Sequence, residues 1–588
     1  MSTTTEPTST EPTRDAAAAP DRDAPGGAAP SAAAPAGADA APAGAAPSAA
    51  DRSAAARRVL NQAPPLHPVN FYDVDLPLKE ALHREGGAWG EERAQEIGAA
   101  AGTVEAREHG MRAERNEPVL TPYDRWGNRV DTVELDPSWH WLLRGGIERG
   151  LAGLPWREPR AGGHVVRAAL FNLWTNANGG VMCPISMTYA VVPALRDGAP
   201  ALAAEWEERL TRPDYDGGAI AGMAMTERQG GSDVRANITT ATPVGGGDYE
   251  LWGHKWFCSY PPCDVFLVLA QAPAGLSCFL VERGPGMEFQ RLKDKLGTRS
   301  LPSSEVEFRG IRGRLVGSEG GGVKAIIRMV NHTRLDCLIG STISIRRGTV
   351  EAIHHARHRA AFGAKLVDQP AMLNVLADLA LESEAATAVS MRVARAYDED
   401  DAAFRRLATA VMKYYVCKRS SPHANEALEC LGGNGFVEDS GLPLLYRDAP
   451  LMSIWEGSGN VAALDVLRAL GREPKGLPAF LAECALASGA DARFDAHLAR
   501  ARGQVEALFA AEDARSVEER LYESQFLARR IVEDLAVALQ GSLLLRHAPP
   551  AVADAFCAAR LGGEGGRVYG TLPAGVDARA IVDRALPA

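Results

Sequence analysis

The chain has 588 residues, of which 46% are hydrophobic and 23% charged, and it carries a net charge of -11. That length accommodates several domains around a sizeable core, and the composition is that of a globular protein. An acidic total gives no general attraction for phosphate, so any nucleic-acid binding must rest on a local basic face.

No apolar run reaches the roughly 18 residues a membrane helix needs. The start, MSTTTEPTSTEPTRD, lacks the basic and apolar stretches of a secretory signal. Nine scattered cysteines without a C-x-x-C pair predict a reduced, cytoplasmic protein.

Residues 1–55 are mostly Ala, Pro, Thr, Ser and Gly, too poor in large apolar side chains to offset chain entropy, which predicts disorder. From 56 to 212 the apolar residues recur mainly at helical spacing, as in Trp139, Leu142, Leu143 and Ile147, with Pro137 and Ser138 at a helix start. Short β-rich runs follow between 213 and 317, at 248–252, 265–269, 277–281 and 304–308. They predict a compact antiparallel β domain. Helical patterns return at 320–360, 370–398, 402–431 and 460–470, within a segment 318–470. Residues 471–588 read as a further Ala- and Leu-rich helical piece. The fold class is α+β, in the order helices, sheet, helices, extra helices.

Several motifs carry chemistry. Thr226 through Asp233 form a Gly-Ser loop that presents backbone N–H groups and hydroxyls, suited to a phosphate or a flavin edge, or to an ordinary turn. Leu431-Gly432-Gly433-Asn434-Gly435-Phe436 ends a helix as a glycine cap would. Glu456, between Trp455 and Gly457, is either a helix cap or a partly desolvated carboxylate of raised basicity. Glu351, His354 and His358 share a helix face, but no H-E-x-x-H pattern or fourth ligand accompanies them, so no metal is expected. The sequence has no G-x-G-x-x-G fingerprint, Walker loop or G-x-S-x-G elbow.

Taken together, these segments resemble the acyl-CoA dehydrogenases over about 70–470. Met225-Thr226-Glu227 through Gly231-Ser232-Asp233 is similar to the family's flavin loop, and Lys255 through Ser259 to its K-x-W-I-[ST] strand. Lys295-Leu296-Gly297-Thr298-Arg299-Ser300, Arg359-Ala360-Ala361-Phe362-Gly363 with Gln369, Leu431 through Phe436, Tyr446-Arg447-Asp448 and Trp455-Glu456-Gly457-Ser458 follow in the family's order. The resemblance is nearer still to the AidB subgroup, through Glu85 to Trp89, Cys183 to Thr188, Gly253 to Phe257 and Ser453 to Asn460.

The resemblance implies FAD as cofactor and Glu456 as the base that takes the α proton of an acyl thioester. Some relatives place that base just before an Arg; here the position is Thr333, before Arg334. It implies that Met225, Thr226 and Ser232 line the flavin, with Phe257 and Ser259 at its ring and Ser458 and Asn460 near the pyrophosphate or adenosine. Arg359, Phe362, Gln369, Gly432 and Gly433 would contact the FAD of a neighbouring subunit, which implies a homo-oligomer, usually a tetramer. Arg228-Gln229, Glu429 and Asn331-His332 depart from the common dehydrogenase pattern, which bears on CoA binding more than on FAD.

The subgroup is linked to protection against DNA alkylation, binding of double-stranded DNA and weak activity on isovaleryl-CoA. The alternative is a genuine dehydrogenase of short or branched acyl-CoA. Residues 471–588 hold 14 Lys and Arg against 16 Asp and Glu. A DNA face there would use Arg500, Arg502, Arg529 and Arg530; a solvated oligomerisation surface is the other reading.

Overall fold

A computed structural model describes residues 49–399, 401–509 and 516–587. The expectation for residues 1–55 falls largely outside them. Within its last stretch, Ala49–Ala56 is helical rather than irregular, as an Ala-rich octamer favours. Residues 61–588 form a separate compact unit.

The first helices of that unit are Leu76–Arg84, Glu91–Ala101 and Val104–Arg115. The helix Pro137–Glu148 starts where the sequence indicates. Asp136 caps it by accepting from the Ser138 amide at 2.8 Å, and Trp139, Leu142, Leu143 and Ile147 are buried. Gly163–Thr175 and Met182–Gly198 are buried nearly all round. One hairpin, Val119–Tyr123 with Arg129–Glu134, interrupts this helical region. Its alternating Val130-Asp131-Thr132-Val133-Glu134 is strand-like, but short enough to be passed over.

The central domain is a seven-stranded sheet in which Val265–Ala272 pairs with Gly275–Glu282 and closes the strand path on itself. It is not purely antiparallel. Ala221–Ala224 runs parallel to Val265–Val268, because the chain crosses the sheet between them. The strand Asp248–Ser259 pairs with Ser303–Val316, and its register shifts between Lys255 and Cys258. That bulge carries Trp256 and Phe257 and turns the Phe257 ring half out of the sheet.

The helices Gly322–His358, Pro370–Asp398, Ala402–Cys430, Leu442–Met452 and Gly459–Arg472 make the C-terminal bundle. From Leu376 to Tyr397 the second of these is almost continuously buried, because the following residues wrap it. Val517–His547, opened by a Ser516/Glu519 capping box, packs on three bundle helices, and Ala578–Ala585 lies against Pro370–Asp398. Buried ion pairs clip this extension down: Arg560 to Asp378, Glu483 to Arg392 at 2.8 Å, and Arg584 to Glu384 at 3.0 Å. Among the described residues no helix is long and apolar enough to cross a membrane, and none of the nine cysteines is paired.

Candidate functional site

Glu456 sits in the turn between the last two bundle helices, with φ 59°, and Gly457 follows at φ 107°. The left-handed region costs a non-glycine residue about 1 kcal/mol, so the surroundings must hold it there. Arg334 Nε donates to the Glu456 carbonyl at 3.0 Å. Lys413 Nζ donates to the carbonyls of Trp455 and Gly457 at 2.8 and 2.7 Å. Arg334 is itself fixed by Asp465 at 2.7 Å. Three consecutive carbonyls are thus pinned by two cations from two other helices, and the turn projects its carboxylate inward.

The Glu456 Oε2 is buried and has no hydrogen-bond partner. Burial raises its pKa; the Thr333 hydroxyl and the charges of Arg334 and Lys413 offset this only in part. Thr333, distant in sequence, thus meets Glu456 in space, as a hydroxyl facing the carboxylate. Desolvation pushes the Cys183 thiol up to about 12; it interacts with Ser259 and feels the charge of Glu456, as does Cys337 on the long helix. Carboxylate, hydroxyl and two uncharged thiols thus influence one another electrostatically.

The flavin loop is built on a residue that sequence reasoning assigned no role. Glu227 is fully buried. It accepts from Lys255 Nζ at 2.7 Å, from the Ile238 and Thr239 amides at 2.8 and 3.2 Å, and from Gln229 Nε2 at 2.8 Å. Burial alone would push its carboxyl up, but the Lys255 ammonium and these donors hold it down at about 2. The Thr226 carbonyl accepts from the Trp256 amide at 2.9 Å, and Asn237 Nδ2 donates to the Met225 carbonyl at 2.9 Å. Met225 and Thr226 are half-buried and Ser232 is exposed. A Cβ on Gly231 would come within 2.4 Å of Thr226 Oγ1, so the loop closes only with glycine there. The signal available in the sequence was Lys255 itself, a lysine beside Trp256 and Phe257 in a strand of the sheet.

Two other motifs lock each other. Asp448 accepts from the Thr298 amide at 2.6 Å, and a Cβ on Gly297 would lie 2.3 Å from the same carboxylate. The Tyr446-Arg447-Asp448 and Lys295-to-Ser300 segments thus fix one another beside Lys295.

Arg359, Phe362, Gln369, Gly432 and Gly433 gather at the other end of the long helix. Asn61 Nδ2 donates to the Ala360 carbonyl at 2.7 Å, and Arg359 Nη1 to the Asn61 carbonyl at 2.5 Å. Asn434 Nδ2 donates to Gln62 Oε1 at 3.2 Å. Asn61 and Gln62, which the sequence did not single out, hold the two motifs side by side. Gln369 Nε2 closes the loop onto the Ala361 carbonyl at 2.7 Å. Phe362 is 100% exposed at φ 51°. From Arg334 to Arg359 the helix advances about 37 Å, at about 1.5 Å per residue.

Beside the base lies an open cleft of about 810 Å³. Its walls carry Arg235, Lys324, Arg328, Arg405, Arg406 and Arg468, against Asp465 and Glu473. Asp465 joins cleft to base: it pairs with Arg406 and Arg468 at the wall and with Arg334 under Glu456.

Ser458 and Asn460 flank the start of the helix Gly459–Arg472. Of the four arginines expected on a DNA face, Arg500, Arg502 and Arg530 are exposed, Arg500 donating to His497 Nδ1 at 2.6 Å. Arg529 is exposed as well, its Nε donating to Asn460 Oδ1 at 2.8 Å. In the Glu351-His354-His358 trio, Glu351 faces Arg347 at 3.7 Å and His354 Nε2 meets the Pro64 carbonyl at 2.8 Å.

A half-exposed aromatic ring on a bulge, an exposed serine in a tight glycine loop and an unpartnered carboxylate oxygen all fit a flavin and a substrate thioester. The match to known families agrees. Residues 61–217 match the adaptive response protein AidB N-terminal domain, 222–311 the acyl-CoA dehydrogenase middle domain, and 320–471 the acyl-CoA dehydrogenase C-terminal domain. The chain is 41% identical to AidB of Escherichia coli over 529 residues, covering 86% of this chain and 95% of that protein. It is 33% identical over 487 residues to acyl-CoA dehydrogenase family member 11 of Caenorhabditis elegans, covering 76% and 78%. The crystal structure of C. elegans ACDH-11 in complex with C11-CoA superposes with a TM-score of 0.76 at 29% identity, over 85% of this chain and 91% of that one. The chain therefore belongs to the acyl-CoA dehydrogenase family, as an FAD-dependent oxidoreductase with an AidB-type N-terminal domain.

Proposed function

We propose that the protein oxidises an acyl-CoA thioester across its α and β carbons, with Glu456 removing the α proton. The observation that carries this is the buried, unpartnered Glu456 Oε2 in a turn pinned by Arg334 and Lys413. Bound FAD supplies the acceptor for the β hydride. The protein's part is geometric and electrostatic. Glu456 waits with raised basicity beside Thr333, with the Cys183 and Cys337 thiols uncharged in its field. Its own amide, aimed by the same turn, is a donor for the developing enolate oxygen. Met225, Thr226, Ser232, Phe257 and Ser259 hold the flavin. The cationic cleft suits the phosphates of CoA, and the C11-CoA complex of the C. elegans relative supports that reading.

The two ends of the long helix are further apart than an extended dinucleotide is long. Arg359, Phe362, Gln369, Gly432 and Gly433 thus serve the FAD of a neighbouring copy, in a homotetramer. Anaerobic mixing of the holoprotein with isovaleryl-CoA tests the activity. Flavin bleaching is expected, and Glu456→Gln should lower its rate by about 10²-fold or more. Bleaching untouched by that substitution would refute the assignment.

A second role, binding of double-stranded DNA in the response to alkylation, is supported by the likeness to AidB and by the exposed Arg500, Arg502 and Arg530. Duplex retention that weakens with salt, and that is lost on changing these three to Glu, is the expected result. Retention equal to wild type in the triple variant would exclude this face.

A further inference from the structure

We infer that a cavity behind Met452 receives the far end of the acyl chain and selects a chain that ends in a hydroxyl group. Asn176 and Ser344 are the residues that read it. The inference rests on the reading that the thioester lies at Glu456.

The cavity holds about 90 Å³, and its walls are mostly apolar, with Met111, Ile343, Leu444, Leu445, Ala449 and Met452. It continues from the base along one face of the long helix Gly322–His358. Thr333, whose hydroxyl faces Glu456, is followed at helical spacing by Gly340, Ser344 and Arg347, all three in the cavity wall. Ser344 lies about 16 Å beyond Thr333, at about 1.5 Å per residue. Met452, four residues before Glu456, stands between base and cavity. A Cβ on Gly340 would lie 3.1 Å from Met452 Cε, so glycine leaves the Met452 side chain its room. A thioether has the rotational freedom to swing aside for a chain.

The polar atoms at the far end lack partners. Asn176 is 6% and Ser344 8% exposed, and both line the cavity. Among the described residues Asn176 Oδ1 and Ser344 Oγ make no hydrogen bond. Asn176 Nδ2 donates to the Leu173 carbonyl at 3.0 Å, which leaves Oδ1 as the free acceptor. Buried polar atoms without partners are costly, so an end group that supplies the bonds is favoured over a methyl.

The chemistry of that end group follows from what the cavity offers. A hydroxyl donates to Asn176 Oδ1 and accepts from the Ser344 hydroxyl. A carboxylate only accepts, and Asn176 Oδ1 would repel it. Arg347, at the same end, does not reverse the choice. Its Nη1 donates to the Asn176 carbonyl at 2.6 Å and its Nε faces Glu351 at 3.7 Å, so its charge is already met.

The test titrates the full-length holoprotein with dodecanoyl-CoA, its ω-hydroxy derivative and the monothioester of dodecanedioic acid. An extended dodecanoyl chain matches the reach from Glu456 to Ser344. Binding is read from the change in the flavin spectrum, and oxidation from anaerobic bleaching. The ω-hydroxy thioester should bind at least about fivefold more tightly than the other two. Ser344→Ala and Asn176→Leu should each abolish that preference, because each removes a partner of the hydroxyl. A merely structural role would weaken all three thioesters alike and leave their ratios as in wild type, which would overturn the inference. So would equal affinities in the wild-type protein, or tighter binding of the dicarboxylic thioester. Ser344→Ala, which deletes one buried oxygen, carries the test should Asn176→Leu not fold. Binding that keeps the preference without any bleaching would instead defeat the role of Glu456 and leave the selectivity of the cavity standing.

Discussion

Glu456 keeps a carboxylate where solvent cannot fully stabilise its charge, and that gives the site a pH dependence. Its pKa is raised by burial, so the protonated form persists above the ordinary carboxylate range. Proton abstraction needs the ionised form. Substrate-driven bleaching should therefore climb with pH over an interval above that range. Thr333→Val removes a group that lowers this pKa and should move the climb to higher pH; an unmoved profile would show that the hydroxyl has no electrostatic hold on the base. Glu227 has the opposite sign. Lys255 and the neighbouring donors depress its carboxyl to about 2, so its stabilisation is present above its unfolded value and lost as pH falls toward about 2. Lys255→Met leaves a buried charge unpaired and should cost about 3–5 kcal/mol, read as a lower denaturation midpoint with loss of FAD. A midpoint equal to wild type would mean that Glu227 takes up a proton at little cost.

Among the elements, the long bundle helices were legible and the sheet was half legible. Gly322–His358, Pro370–Asp398 and Ala402–Cys430 follow the predicted segments closely, because apolar periodicity with terminal Gly and Pro punctuation is a local property. The strands were visible as runs. The parallel pairing of Ala221–Ala224 was not, since strand partners are chosen by the path of the chain. The extension 471–588 read as a separable piece, yet Phe480, Phe494, Leu535 and Leu539 are buried, and its ion pairs reach Asp378 and Glu384. Truncation after Gly471 should therefore expose the faces of three bundle helices and give an aggregating, FAD-poor protein. A monodisperse, yellow truncated chain would show that the bundle stands without it.

For the whole molecule, the proposed reading has one chain carry two half-sites at opposite ends of one helix. Phe362, fully exposed on a left-handed turn, presents its ring for the contact with a neighbouring copy that the proposed assembly requires. Phe362→Asp should lower the oligomeric state measured by light scattering and release FAD with it. An intact assembly with full flavin content would place the contact elsewhere.

By itself the sequence determined the order of helices and strands, the flavin motifs and Glu456 as a candidate, because periodicity and motif spacing are written along the chain. What only the tertiary structure decided lies between distant segments. Arg334 and Lys413 pin the base turn, Glu227 meets Lys255 inside the sheet, Asn61 and Gln62 bridge the far motifs, and Arg529 reaches Asn460 on another helix. A charged side chain's role depends on which partner or solvent it meets after folding, and spacing along the chain does not encode that.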